Sequence, residues 1–203
     1  MTDLGAVRAV LADAQRVGLL GPEPVDHHIK HAVTWASVLQ PAPFLDLGSG
    51  AGVPGLIFAT LWPEVPATLL DGQLRRSAWL QSAVARLDLH PRVSVLAGRA
   101  EDLGHEQVHR ERYGLVVARA FGPPATVAEC GAPFVKVRGH MSVSEPPTAS
   151  VDRWPVAACE GLGLAGATGI VRDGASFVIL SKISASPAAF PRARPFPWKS
   201  PLW

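Results

Sequence analysis

Cysteine is scarce in this chain, with two, Cys130 and Cys159, among 203 residues. They stand apart from each other and from the histidines, and neither belongs to a zinc-ligand spacing. Both therefore read as buried small hydrophobes rather than as a disulfide framework. Long apolar runs are missing too, because Pro, Arg, Asp and Gly interrupt each one well short of the roughly 18 residues a spanning helix needs. A membrane location is not expected. The amino terminus carries an acid where a secretory signal would carry bases, so a cytoplasmic protein is expected. Charged residues amount to only 18%, against 48% hydrophobic ones. That is ample material for one large core, and it excludes wholesale disorder.

Acids disappear altogether from Gly174 onward, where Lys182, Arg192, Arg194 and Lys199 are the only charges. The net charge of +2 therefore hides an acidic body and a basic tail. Any nucleic-acid contact must use a local patch, with the tail as the first candidate.

Apolar positions recur at helical spacing over residues 4–17 and again over roughly 25–39. From residue 43 the pattern becomes alternating strands and helices. The strand runs are Pro43–Leu47, Ala67–Asp71, Arg92–Leu96, Tyr113–Ala118 and Val137–Val143, and 74–87 is the clearest helix between them. This alternation predicts an α/β fold, a mostly parallel sheet with helices on both faces. Past a Pro/Ser-rich break at 144–150, strands at 163–171 and 175–183 around Asp173-Gly174 predict a carboxy-terminal β-hairpin. Five prolines in the last 20 residues predict a strap without helix. The expected organisation is a helical lead-in over 1–40, a ligand-binding domain over 41–185 and a Pro-rich basic tail over 186–203. There is no internal repeat.

The most informative stretch is Leu45-Asp46-Leu47-Gly48-Ser49-Gly50-Ala51-Gly52-Val53-Pro54-Gly55. A short apolar strand enters a loop with Gly at alternate positions, then a helix-forming run, Gly55–Leu61. Such a loop lets backbone approach a ligand closely and presents the free N–H groups of a helix start. Gly50 to Gly55 also satisfies the dinucleotide pattern G-x-G-x-x-G. Asp46 argues for another ligand. A carboxylate at that strand end would repel a pyrophosphate, whereas it attracts the sulfonium and ammonium groups of S-adenosylmethionine. Asp71 ends the next strand at the distance expected of an acid that receives ribose hydroxyls. Gly98-Arg99-Ala100-Glu101-Asp102 then places polar groups at a third strand end, suited to an adenine edge.

These residues resemble the glucose-inhibited division protein B family, also called RsmG. The similarity continues through Thr68-Leu69-Leu70-Asp71, Arg75-Arg76, Gly98-Arg99-Ala100-Glu101 and Val116-Val117-Ala118-Arg119-Ala120. It extends upstream to Gly18-Leu19-Leu20-Gly21-Pro22 with Lys30-His31, and downstream to Phe190-Pro191-Arg192 and Lys199-Ser200-Pro201-Leu202. The resemblance implies a class I (Rossmann-like) S-adenosylmethionine-dependent methyltransferase modifying guanine N7 of small-subunit ribosomal RNA. It implies cofactor contacts from Asp46, Gly48, Ser49, Gly50, Gly52, Asp71, Gly72, Ala100, Glu101 and Arg119. Arg119 is the candidate for the reaction zone, and Lys30, His31, Arg192, Arg194 and Lys199 are the candidates for substrate. The fifth strand departs from the family's Leu-Lys-Gly step, carrying Ser144-Glu145 there instead. That exchange of a base for an acid keeps a small-molecule acceptor open as the alternative to RNA.

Motifs of other methyl-transfer chemistries are absent. There is no Asn/Asp-Pro-Pro-Tyr/Phe run for exocyclic amines, and Cys130 lies between Glu129 and Gly131 rather than after a proline. His27, His28 and His31 share a helical turn, but no third ligand type accompanies them, so no metal is expected. Aromatics interleave with the bases of the tail (Phe190, Phe196, Trp198, Trp203). That pattern suits either stacking on single-stranded nucleic acid or packing back on the domain.

Overall fold

The computed structural model describes residues 4–203, so Asp3, the acid behind the expectation about the amino terminus, lies outside the described residues. The chain divides into two compact units, Met1–Gly98 and Arg99–Trp203.

In the first unit, α1 (Gly5–Arg16) turns Val7, Val10, Leu11 and Ala14 inward, the stripe expected from its spacing. Gly18, with φ of +74°, follows its end. Helix α2 (Val25–Ala36) buries Ile29, Ala32 and Trp35. Three short strands, β1 (Phe44–Leu47), β2 (Ala67–Asp71) and β3 (Val93–Ala97), pair in parallel in the order β3-β2-β1. Helices α3 (Gly55–Leu61) and α4 (Leu74–Arg86) connect them, with α4 packed on β2 and β3. Trp35, Phe44, Phe58 and Trp62 meet at ring-centroid distances of 4.7 to 6.0 Å and mostly edge to face, the geometry their quadrupoles favour.

The second unit begins with a single helical turn, α5 (Ala100–Leu103), and continues with β4 (Tyr113–Arg119), α6 (Pro124–Gly131) and β5 (Val135–Glu145). Strands β4 and β5 are parallel. Beyond a 3-10 turn and the short α7 (Val156–Glu160), β6 (Thr168–Arg172) and β7 (Ala175–Ser181) form the expected hairpin. β7 lies antiparallel to β5, giving the order β4-β5-β7-β6.

Two expectations need correction. The hairpin's first strand begins at Thr168 rather than at residue 163. Gly163 has φ of +81°, and a Cβ there would lie 2.4 Å from the Ser184 carbonyl oxygen, so 163 belongs to a tight turn. The tail is not free of helix either. Phe196–Lys199 forms one turn, α8, with Pro197 inside its first turn, where a missing N–H costs nothing.

Candidate functional site

In the first unit, β1 and β2 end side by side and the glycine loop rises from β1. The N–H groups of Gly48 and Ser49 both reach the Leu70 carbonyl, at 2.9 Å each. Gly48, Gly50 and Gly52 have φ of +74°, +58° and +98°, values that a side chain would resist. Below the loop there is no room, since a Cβ at Gly52 would sit 2.3 Å from Leu56 Cδ1. Above it there is, since a Cβ at Gly50 would meet only the Gly48 carbonyl, at 3.9 Å. The loop thus presses down on α3 and opens upward at Gly50.

Two buried carboxylates hold this shape. Asp46, 1% exposed, accepts the Gly55 N–H through Oδ2 at 2.9 Å. It neutralises an orphan donor where α3 begins, and its negative charge suits that positive helix end. Asp71, 3% exposed, accepts the Gly50 N–H through Oδ2 (2.9 Å) and the Gln73 N–H through Oδ1 (2.8 Å). Arg76 lies 3.9 Å from the same Oδ2. Ser49 turns its hydroxyl inward onto the Asp46 carbonyl at 2.9 Å, and the Trp79 indole donates to Ala51 O at 3.3 Å. Asp46, Gly48, Ser49, Gly50, Gly52, Asp71 and Gly72 are therefore gathered at one rim of the unit's sheet. A carboxylate oxygen offers about two acceptor positions, so Asp71 keeps capacity for hydroxyl donors. Buried negative charge, an open glycine backbone and a helix start together fit a cationic nucleoside such as S-adenosylmethionine.

On α2, Lys30 is exposed and His31 is half buried, edge-on to Trp35 at 6.2 Å. His27 lies 3.6 Å from Glu23, and His28 is buried. No group of three His, Cys, Asp or Glu placed to hold a metal occurs among the described residues.

The second unit shows what sequence reading missed. Ala100 and Glu101 lie buried in α5, and Glu101 accepts the Trp198 indole N–H at 2.6 Å. Arg119 ends β4, paired in register with Ser144 of β5. Arg192 is committed internally. Its Nε and Nη2 each lie 2.8 Å from the two oxygens of Glu129, whose side chain is fully buried. This contact holds the guanidinium above its ordinary pKa. Lys182 is buried as well, with Nζ donating to the Ala132 and Leu162 carbonyls and to Ser186, and with Glu111 at 3.8 Å. Burial pulls its pKa down to about 8. The basic tail read from composition thus shrinks to the exposed Arg194 and Lys199. Both cysteines are free and buried, and burial raises both thiols, Cys159 to about 11. The signal for these pairings was faint, since Arg192 and Glu129 are 63 residues apart.

A further feature is a cavity of about 190 Å³ at the carboxyl ends of β4 and β5. Its wall includes Phe121, Ser144, Glu145, Arg153 and Trp154.

Comparison with known proteins places the chain. Residues 10–145 match the family model GidB, described as rRNA small subunit methyltransferase G. Ribosomal RNA small subunit methyltransferase G of Roseiflexus castenholzii is 34% identical over 182 residues, covering 86% of this chain and 76% of the relative. The protein of the same name from Moorella thermoacetica is 36% identical over 170 residues, covering 79% and 70%. Among solved structures, PigF with SAH superposes with a TM-score of 0.61 at 15% identity, over 86% of this chain and 61% of that one. At that identity the likeness speaks for the fold, a class I methyltransferase fold with a mostly parallel sheet. With its glycine loop, its paired strand-end carboxylates and its relatives in agreement, the chain belongs to the rRNA small subunit methyltransferase G family.

Proposed function

We propose that this protein is an S-adenosylmethionine-dependent methyltransferase that methylates guanine N7 of small-subunit ribosomal RNA. The observation that carries the reading is the loop at Gly48–Gly52, opened at Gly50 and tied down by Asp46 and Asp71. Family membership supplies the acceptor class. When bound, S-adenosylmethionine supplies an electrophilic methyl group on a positively charged sulfur.

Asp71 orients the adenosine hydroxyls while holding the Gly50 amide. Gly48, Gly50 and Gly52 take the positive φ values that shape the loop, with Gly52 pressed against Leu56 and Gly50 open to the ligand, and Gly72 follows Asp71 at the end of β2. Asp46 contributes negative potential from beneath the loop. Within the second unit, Arg119 at the end of β4 and the exposed Arg194 and Lys199 are the groups offered to base and phosphates, with Lys30 and His31 offering the same from the first. Guanine N7 carries its own lone pair. As the new N–C bond forms, the S–C bond breaks and its electrons remain on sulfur, so the positive charge passes to the purine and no proton has to be removed. Alignment and exclusion of water are the protein's tasks.

The test is incubation with labelled S-adenosylmethionine and small ribosomal subunits from cells lacking the native modification, followed by nucleoside analysis. Label in 7-methylguanosine is the expected result. Label absent from RNA but present on a small acceptor would overturn the reading.

A further inference from the structure

The departure at the end of β5 lies in the wall of the 190 Å³ cavity. Resting on the proposed function, we infer that this cavity seats the acceptor guanine and that Glu145 reads the ring edge opposite the methylated nitrogen. The cavity is smaller than the roughly 300 Å³ at which pockets for drug-sized ligands begin, so it suits a single flat ring system. Phe121, half buried and backed by Trp198 at 5.2 Å, lines it and is the ring against which an extruded base would lie, while Trp154, 2% exposed, closes the wall behind Glu145.

Glu145 gives the cavity its selectivity. Its side chain is only 7% exposed. Oε1 accepts the Trp154 indole N–H at 2.9 Å, and Oε2 is paired with Arg153. Each oxygen spends one acceptor position on these fasteners and keeps a second. A fixed carboxylate with one position left on each oxygen matches the two donors of guanine, N1–H and N2–H, which lie across the bicycle from N7. Binding that edge points N7 away from Glu145. Arg153, on the same wall, carries spare donors for O6. Adenine presents a bare N1 lone pair at the corresponding place, so the same carboxylate rejects it. The acid that appeared to count against RNA is in this arrangement neutralised by Arg153 and turned to base selection.

The experiment titrates GMP, IMP and AMP into the full chain in the presence of S-adenosylhomocysteine, read by quenching of tryptophan fluorescence. Wild type should bind GMP about 5- to 20-fold more tightly than IMP, which lacks the N2 amine, and AMP most weakly. E145Q presents an amide where a carboxylate oxygen stood and should bring GMP and IMP within about twofold, with affinity for S-adenosylhomocysteine unchanged. Equal binding of the three nucleotides by wild type, binding of none, or an intact preference in E145Q would overturn the inference. The wild-type order needs no variant and decides the matter if E145Q fails to fold. Subunit methylation by wild type without this order removes the role of Glu145 alone. A nucleotide order without subunit methylation removes the acceptor assignment instead.

Discussion

In the first unit four rings, Trp35, Phe44, Phe58 and Trp62, close the interior, and among its described residues the buried carboxylates are Asp46 and Asp71, which hold the glycine loop. In the second, the carboxy-terminal strap is fastened by many polar groups, beside the packing of Trp198 on Phe121 at 5.2 Å. Glu129 holds Arg192, Glu111 holds the Ser186 N–H at 2.8 Å, and Arg110 spans the carbonyls of Gly104, Ser186, Pro187 and Phe190. A segment rich in proline has few N–H groups with which to bond to itself, as it does in α8 and from the Phe190 N–H to Pro187, so other carbonyls must find donors elsewhere. Arg110, reaching from the body, donates to three of them, while Glu111 and Glu129 accept the strap's own N–H groups at Ser186 and Arg192. Aromatic packing tolerates small shifts, whereas a hydrogen-bonded strap has one register.

The largest effect expected from breaking that contrast is at Glu129. Glu129→Ala leaves the Arg192 guanidinium with Ser200 O alone and the Arg192 N–H without its acceptor, and should cost about 3 kcal/mol in urea unfolding, as breaking a buried pair does. The double change Glu129→Met with Arg192→Met removes both charges and should recover at least half of that loss. A double variant no more stable than the single one would mean that the strap depends on the directed bonds themselves rather than on charge balance. In the first unit the corresponding probe is Asp71→Asn. One backbone N–H, of Gly50 or Gln73, then faces an amide donor. Affinity for S-adenosylhomocysteine should fall about 10- to 100-fold by calorimetry, the range for losing a charge-assisted hydrogen bond. Unaltered affinity would show that Asp71 serves the loop and not the ligand.

The same contrast explains what could be read in advance. Helix α3 was expected at Gly55–Leu61 and lies there, and β2 was expected at Ala67–Asp71 and lies there. Both are governed by local punctuation, by glycines before one and proline before the other. The glycine loop was legible for the same reason. What was hidden were pairings between distant residues. Lys182 looked like a tail charge, and only the fold brings Ala132, Leu162 and Ser186 around it. Ser49 looked like a ligand contact, and only the loop's own turn shows its hydroxyl facing inward. Glu145 read as a charge opposed to RNA because Arg153 and Trp154, eight and nine residues on, gave no hint of closing on it.

The smallest effect, and the one that tests the polar fastening most directly, is at Lys182. Its ammonium is desolvated, with Glu111 opposing that penalty and Arg110 adding to it. Between its folded value of about 8 and the ordinary lysine value near 10.4, the unfolded chain holds a proton that the folded chain has released. The unfolded state therefore binds more protons in this window, and stability from this group rises with pH across it. From about pH 8 upward, around the ordinary thiol value near 8.5, the two buried thiols act in the opposite sense. Their raised values keep them protonated in the fold while the unfolded chain ionises, so they lower stability as pH rises. Lys182→Met shares both thiols, so their contribution cancels in the difference between the two proteins, read across the interval from pH 8 to 9. Wild type should gain about 1 kcal/mol across it relative to Lys182→Met, measured as the difference between their unfolding free energies at each pH. Parallel profiles for the two proteins would mean that the carbonyls and Ser186 solvate the ammonium as well as water does, and the strap's innermost fastener would then carry no desolvation penalty.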